Sequence, residues 1–162
     1  TRTVLLRGLS MPHSPRWYQD RLWFLESGQG SLAYVDLAAA RHSPFTVHTV
    51  AQLPGFTRGL DFYGPLAFIG LSQVRESATF SSLPLMERLG EERTCGVWVV
   101  HIETGQTLGF LRFEAGVQEI FAVQVLPNTR FPEILEWDDE RLAHSYVLPD
   151  AALAETPLVE MA

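Results

Sequence analysis

Lysine is absent from this chain: all 12 basic residues are arginine. Schiff-base chemistry, a phosphate-loop lysine and a lysine general base are excluded with it. Cysteine occurs once, as Cys95. A single thiol rules out an intrachain disulfide and a cysteine-rich zinc site. Asparagine also occurs once, as Asn128, inside Pro127-Asn128-Thr129, where turn chemistry accounts for it. No apolar run nears the ~18 residues that span a membrane. Positive charge is scarce, with 12 Arg against 19 Asp plus Glu and a net charge of −7. That balance, without an Arg cluster, argues against a nucleic-acid partner, whose phosphates need a basic face. The chain opens Thr1-Arg2-Thr3 and shows no signal-peptide pattern. The expectation is a cytoplasmic protein, and one that is a piece of something longer.

What is present is a globular composition, 46% apolar and 19% charged over 162 residues, enough for one domain. Short β-runs bounded by turn residues dominate it. They are expected at Thr3–Arg7, Arg21–Glu26, Ser31–Asp36, Phe45–Leu53, Gly59–Tyr63, Leu66–Leu71, Gly96–Glu103, Gln106–Glu114, Ile120–Leu126 and Glu133–Trp137. Residues 141–148 are a further candidate strand. One helix is expected at 82–90, with Ser82 as cap, Pro84 in the first turn and Gly90 as its stop. It lies in a long insertion, Gln73–Thr94, of the kind that serves as a lid or is disordered. The expected domain is 1–148, with 149–162 a loose tail.

The runs group in fours, at about 14–53 and 58–114, with a third group truncated after about 119. Trp17 and Phe62 lie 45 positions apart, and Phe62 and Val123 lie 61 apart, which an insertion of about 20 brings back to one period. Four antiparallel strands at this period predict an all-β chain of β-propeller blades, about half a propeller, with one short helix in the insertion. A β-sandwich of short strands is the rival. Half a propeller leaves sheet edges open. A second copy in a homodimer, or a missing N-terminal half, is expected to cover them.

Ser10-Met11-Pro12-His13-Ser14-Pro15-Arg16-Trp17 is the most distinctive stretch. Its prolines rigidify it and hold His13 and Ser14 as a loop before an inner strand. Two readings stand open: His13 faces a ligand, or the loop satisfies backbone atoms and Trp17 packs between blades. Arg58 and Glu119 stand at the matching positions of the next two groups. Converging, His13, Arg58 and Glu119 would bind a small polar or anionic ligand. Alternatively, Arg58 and Glu119 form an ion pair that holds neighbouring blades. Arg75 and Glu76 follow a strand and would form the rim, or are plain solvated surface.

Ordinary catalytic templates fail. There is no Gly-x-Ser-x-Gly elbow, no His-Glu-x-x-His and no metal-spaced His pair, and no cofactor is expected. Cys95 has no adjacent basic partner and reads as packing. Trp23, Phe24, Trp98 and Phe113 read as core between the blades. The function expected is therefore a ligand-binding or interaction module. The alternative is an enzyme acting on a small polar substrate, with His13 and Glu119 as acid and base and Arg58 as anion holder.

The 9–17 stretch, Leu53-Pro54-Gly55-Phe56-Thr57-Arg58-Gly59-Leu60, Gly70-Leu71-Ser72 with Arg75-Glu76-Ser77, Leu83-Pro84-Leu85 and Cys95-Gly96-Val97-Trp98-Val99-Val100 together carry a family resemblance. Over about residues 8–135 the chain resembles an uncharacterised bacterial family known only as a domain of unknown function. The resemblance implies a propeller-like fold and that this chain is the C-terminal half of a longer protein. It implies no activity.

Overall fold

A computed structural model describes residues 4–37, 45–73, 83–90, 94–130 and 132–144. The chain divides into two compact units, Thr1–Pro127 and Asn128–Ala162. The two sheets among the described residues belong to the first unit. Sheet one is β1 (Pro12–Tyr18), β2 (Arg21–Glu26), β3 (Ser31–Val35) and β4 (His48–Gln52). Sheet two is β5 (Phe56–Tyr63), β6 (Leu66–Ser72), β7 (Gly96–His101) and β8 (Thr107–Arg112). Each is a four-stranded antiparallel meander in chain order, with no crossover, and neither sheet is closed.

The turns follow from local chemistry. Gln19 and Asp20 carry φ of 46° and 58° in a two-residue loop between β1 and β2. Positive φ at both central residues matches the right-handed twist of hairpin strands. Gly64 and Pro65 make the equivalent connection between β5 and β6.

The 45-residue period is structural. Trp17 pairs with Leu22 and Tyr18 with Arg21; Phe62 pairs with Ala67 and Tyr63 with Leu66. Both first strands also carry a bulge, between His13 and Arg16 in β1 and between Thr57 and Leu60 in β5.

One core lies between the sheets. Trp23, Leu25, Leu32, Ala51 and Leu53 of the first half meet Leu60, Ala67, Ile69, Leu71, Trp98, Val100 and Ile102 of the second. The Trp23 indole donates to the Tyr18 carbonyl at 3.0 Å, so its one polar atom is satisfied inside. The opposite face of sheet one holds Phe24, Ala33 and Val35. Leu6, Leu9, Leu37, Phe45 and Val47 cover it.

Helix α1 (Pro84–Leu89) lies across one end of the core, with Leu85 fully buried beside Leu83 and Phe56. Its Arg88 donates to the Gln29 and Leu53 carbonyls at 3.0 and 2.8 Å. Gly90 ends the helix as expected, but the N-cap is Leu83, not Ser82, and no side chain caps it. In the second unit, α2 (Glu140–Ala143) occupies part of the candidate strand 141–148. Asp139 accepts from the Arg141 amide at 2.9 Å, and this cap favours a helical turn.

Further expectations are corrected. Residues 4–7 form no strand. Residues 12–18, expected as a loop, are β1. Neither 120–126 nor 133–137 belongs to a sheet. The first of these runs has the apolar content of a strand but forms no ladder among the described residues. Trp17 does not pack between the sheets; it is 59% exposed, and Trp23 fills the core instead. Residues 149–162 lie outside the described residues.

Candidate functional site

The distinctive 10–17 stretch forms the start of β1, and its side chains tie neighbouring first strands together. β1 packs beside β5. The Ser14 hydroxyl accepts from the Gly59 amide at 3.0 Å. The Ser27 hydroxyl donates to the Thr57 carbonyl at 2.5 Å. The same arrangement recurs one period later. Ser72 stands 45 residues after Ser27, and its hydroxyl bonds both the amide (2.9 Å) and the carbonyl (3.2 Å) of Ile120. Asp61 accepts from the Val125 amide and from Gln124, at 2.7 and 2.8 Å. Residues 118–125 therefore lie beside β5 as β5 lies beside β1. Ile120 is 63 residues after Thr57, which replaces the expected spacing of 61.

Gly59 makes this approach feasible. Its φ is +82°, and an added Cβ would meet the Ala122 backbone at 2.8 Å. Ser14, 45 residues earlier, holds a similar φ of 52° without glycine, and its side chain bonds across the junction.

His13 is set by the same junction. Its Nδ1 lies 3.0 Å from the Met11 carbonyl and 2.9 Å from the Ser27 oxygen. A carbonyl only accepts, and the Ser27 hydrogen is already directed at Thr57. Nδ1 therefore carries the proton, and in the neutral ring Nε2 keeps its lone pair. The imidazole packs edge-on against Phe56 at 5.7 Å.

Arg58 sits over the Phe121 ring at 4.1 Å, a cation–π contact. It forms no ion pair with Glu119 among the described residues. The expected charge pair between neighbouring groups is thus replaced by a cation resting on an aromatic of the third group. Glu119 lies near Cys95. Burial pushes that thiol up, the Gln73 backbone hydrogen bond works against this, and the Glu119 charge adds to it. Cys95 is buried, in keeping with a packing role. Arg16 is exposed, and its guanidinium donates to the neighbouring Pro15 carbonyl at 3.1 Å. No hydrogen bond joins His13, Arg58 and Glu119 to one another. Arg75 and Glu76 lie outside the described residues.

A concave region escapes sequence reading. A cleft of about 440 Å³ opens between sheet one and the turn joining β7 to β8. Tyr34 lines it, with the Arg21 guanidinium 4.5 Å over the ring centroid and the His48 imidazole stacked on the ring at 4.9 Å and 17°. Arg21, Tyr34 and His48 come from three strands, so only the pairing register brings them together. Among the described residues no three His, Cys, Asp or Glu side chains group as a metal site. No helix among them is long and apolar enough to cross a membrane.

These features define a mostly β chain in which repeated sheets are tied together through their first strands. The chain belongs to a family described as a domain of unknown function (DUF4915), whose model matches residues 1–135. No curated protein and no solved structure matches it.

Proposed function

We propose that the chain is a protein-interaction module of β-propeller type, acting without turnover, and that its partner is a second copy of itself. One contrast carries the reading. Trp23 and Leu25 on the inner face of sheet one are fully buried. The corresponding face of sheet two carries Phe68, Val97 and Val99, only partly buried, and Leu111, 58% exposed. Among the described residues, the third group brings only the segment 118–125 to this face. The outer face of sheet one, by contrast, is already covered by the chain's own segments. A molecule with one open and one covered face closes as a two-fold pair and does not grow into a ring or fibre. The polar residues of the 10–17 stretch serve in this reading to key the strands.

Light scattering on the purified chain tests this. The expected mass at micromolar concentration is twice that of the chain, falling to the single mass in a Leu111→Glu variant. A stable monomer would refute the self-association. Turnover at His13 remains the second reading, supported by the unbonded Nε2. It requires an activity that His13→Gln abolishes while the melting temperature holds.

A further inference from the structure

The last strand of sheet two, β8, differs in chemistry from the last strand of sheet one. β4 exposes His48, Thr49 and Gln52, and its Val50 carbonyl meets the turn at Gly105. β8 exposes Leu108, Phe110 and Leu111, at 53%, 65% and 58%. The Phe113 amide donates to the Cys95 carbonyl at 2.9 Å, and Leu111 and Gly109 stand opposite Val97 and Val99. Bonded pairs alternate along an antiparallel ladder. Leu111 and Gly109 therefore bond β7, and the amides and carbonyls of Phe110 and Arg112 point away from it. Among the described residues no other strand takes them up. Sheets commonly blunt such an edge with charge, proline or a bulge. The bulge of this pair lies between Val99 and Val100, beyond Gly109, so residues 109–113 keep a regular edge.

That edge reads Gly109-Phe110-Leu111-Arg112-Phe113, and it complements itself when turned antiparallel about Leu111. On the axis, Leu111 meets the second copy's Leu111 as a closely spaced, non-bonded pair. One step out, Phe110 stands opposite the second copy's Arg112. The Phe110 ring stacks on Trp98 at 5.2 Å and 15° but is otherwise exposed, which leaves it open to a guanidinium. Two steps out, Phe113 stands opposite Gly109. A Cβ at Gly109 would meet nothing within 4 Å, and an aromatic across from an edge glycine fills such a space. The charges agree with this register. Arg112 is the one charged residue of the run, and its own Glu114 lies 3.6 Å away. Sliding the second copy until Arg112 meets Arg112 would instead set two cations face to face. We infer that two copies join through β8, antiparallel about Leu111, so that two four-stranded sheets become one sheet of eight. This rests on the reading that the partner is a second copy, and it names the surface used. Each Phe113 then reaches over Gly109 toward the other copy's Val99, on the open face of sheet two.

Cysteine cross-linking and light scattering on the whole chain test the pairing together. In Leu111→Cys the two new thiols flank the axis, with Cα atoms about 4.5 Å apart, within disulfide range. Mild oxidation is expected to give a covalent dimer. In Gly109→Cys the thiols stand about 14 Å apart, and no cross-link is expected. Arg112→Pro removes an outward amide without touching the ladder to β7. It should raise the dissociation constant of the dimer about tenfold or more and leave the fold intact by circular dichroism. A monomeric parent chain would overturn this inference and the self-association together. A dimer that Arg112→Pro leaves at full strength would overturn the edge pairing alone. So would a dimer that Leu111→Cys does not cross-link, or one that Gly109→Cys does; self-association would then use another surface.

Discussion

Sheets one and two are built on one plan, offset by 45 residues, yet they differ in how their faces are covered. Sheet one has protein on both sides: sheet two on one, its own flanking segments on the other. Sheet two has sheet one on one side and, among the described residues, the segment 118–125 on the other. The same strand geometry therefore gives a closed element in one place and an open one in the next. What differs is the sequence that follows, not the sheet itself.

The sharpest test of that contrast is a pair of truncations. Trp23→Ala removes a fully buried indole and should cost about 3–5 kcal/mol in urea denaturation, independent of protein concentration. Val99→Ala, on the open face, should cost less than about 1 kcal/mol in dilute solution, and more as concentration rises and self-association covers it. Equal, concentration-independent losses would remove the distinction between the faces.

A second pair probes the junctions. Gly59→Ala forces a side chain into both a left-handed backbone and the Ala122 backbone, and should cost about 1–3 kcal/mol. Ser72→Ala removes both bonds to Ile120 and should cost about 1 kcal/mol, with faster hydrogen exchange at Ile120 while β2 stays protected. If exchange rises equally in both sheets, the third segment is not an independent cover.

Cys95 supplies a chemical test near the same segment. Its thiol is raised above the ordinary value of 9.0. The folded state thus keeps its proton where the unfolded state loses it. Its contribution to stability is full below pH 9 and declines as pH rises beyond it. Native protein should react slowly with thiol reagents at neutral pH, because the thiolate is the nucleophile. Fast labelling without unfolding would contradict this. The smallest effect belongs to the second unit. Asp139 is held below its ordinary 3.8, first by the Arg141 side chain and then by the Arg141 amide. That support is present above pH 3.8 and is lost as pH falls, so α2 should fray in acid while the sheets persist, as seen by residue-resolved NMR.

Much of the sheet structure was legible. β2, β3, β6, β7 and β8 follow directly from apolar runs between turn residues, and the 45-residue offset of Trp17 and Phe62 is reproduced in the pairing. β1 was hidden by Pro12 and Pro15, which read as loop. A strand tolerates them here because Pro12 is its first residue and Pro15 lies in the bulge. Residues 120–126 misled in the opposite direction, since an apolar run specifies a strand only when a neighbour is there to bond it. The 10–17 stretch was found by its composition, but the partners of His13 and Ser14 depend on the bulge. The Arg21–Tyr34–His48 cleft was invisible because its residues become neighbours only through cross-strand register.

The serine links also give the two junctions a common fastening. Ser27 holds β5, and Ser72 holds the segment beginning near Ile120, each by a hydroxyl placed at the end of a second strand. Each latch is a single side chain reaching across a junction, so one substitution loosens one junction and leaves the other in place.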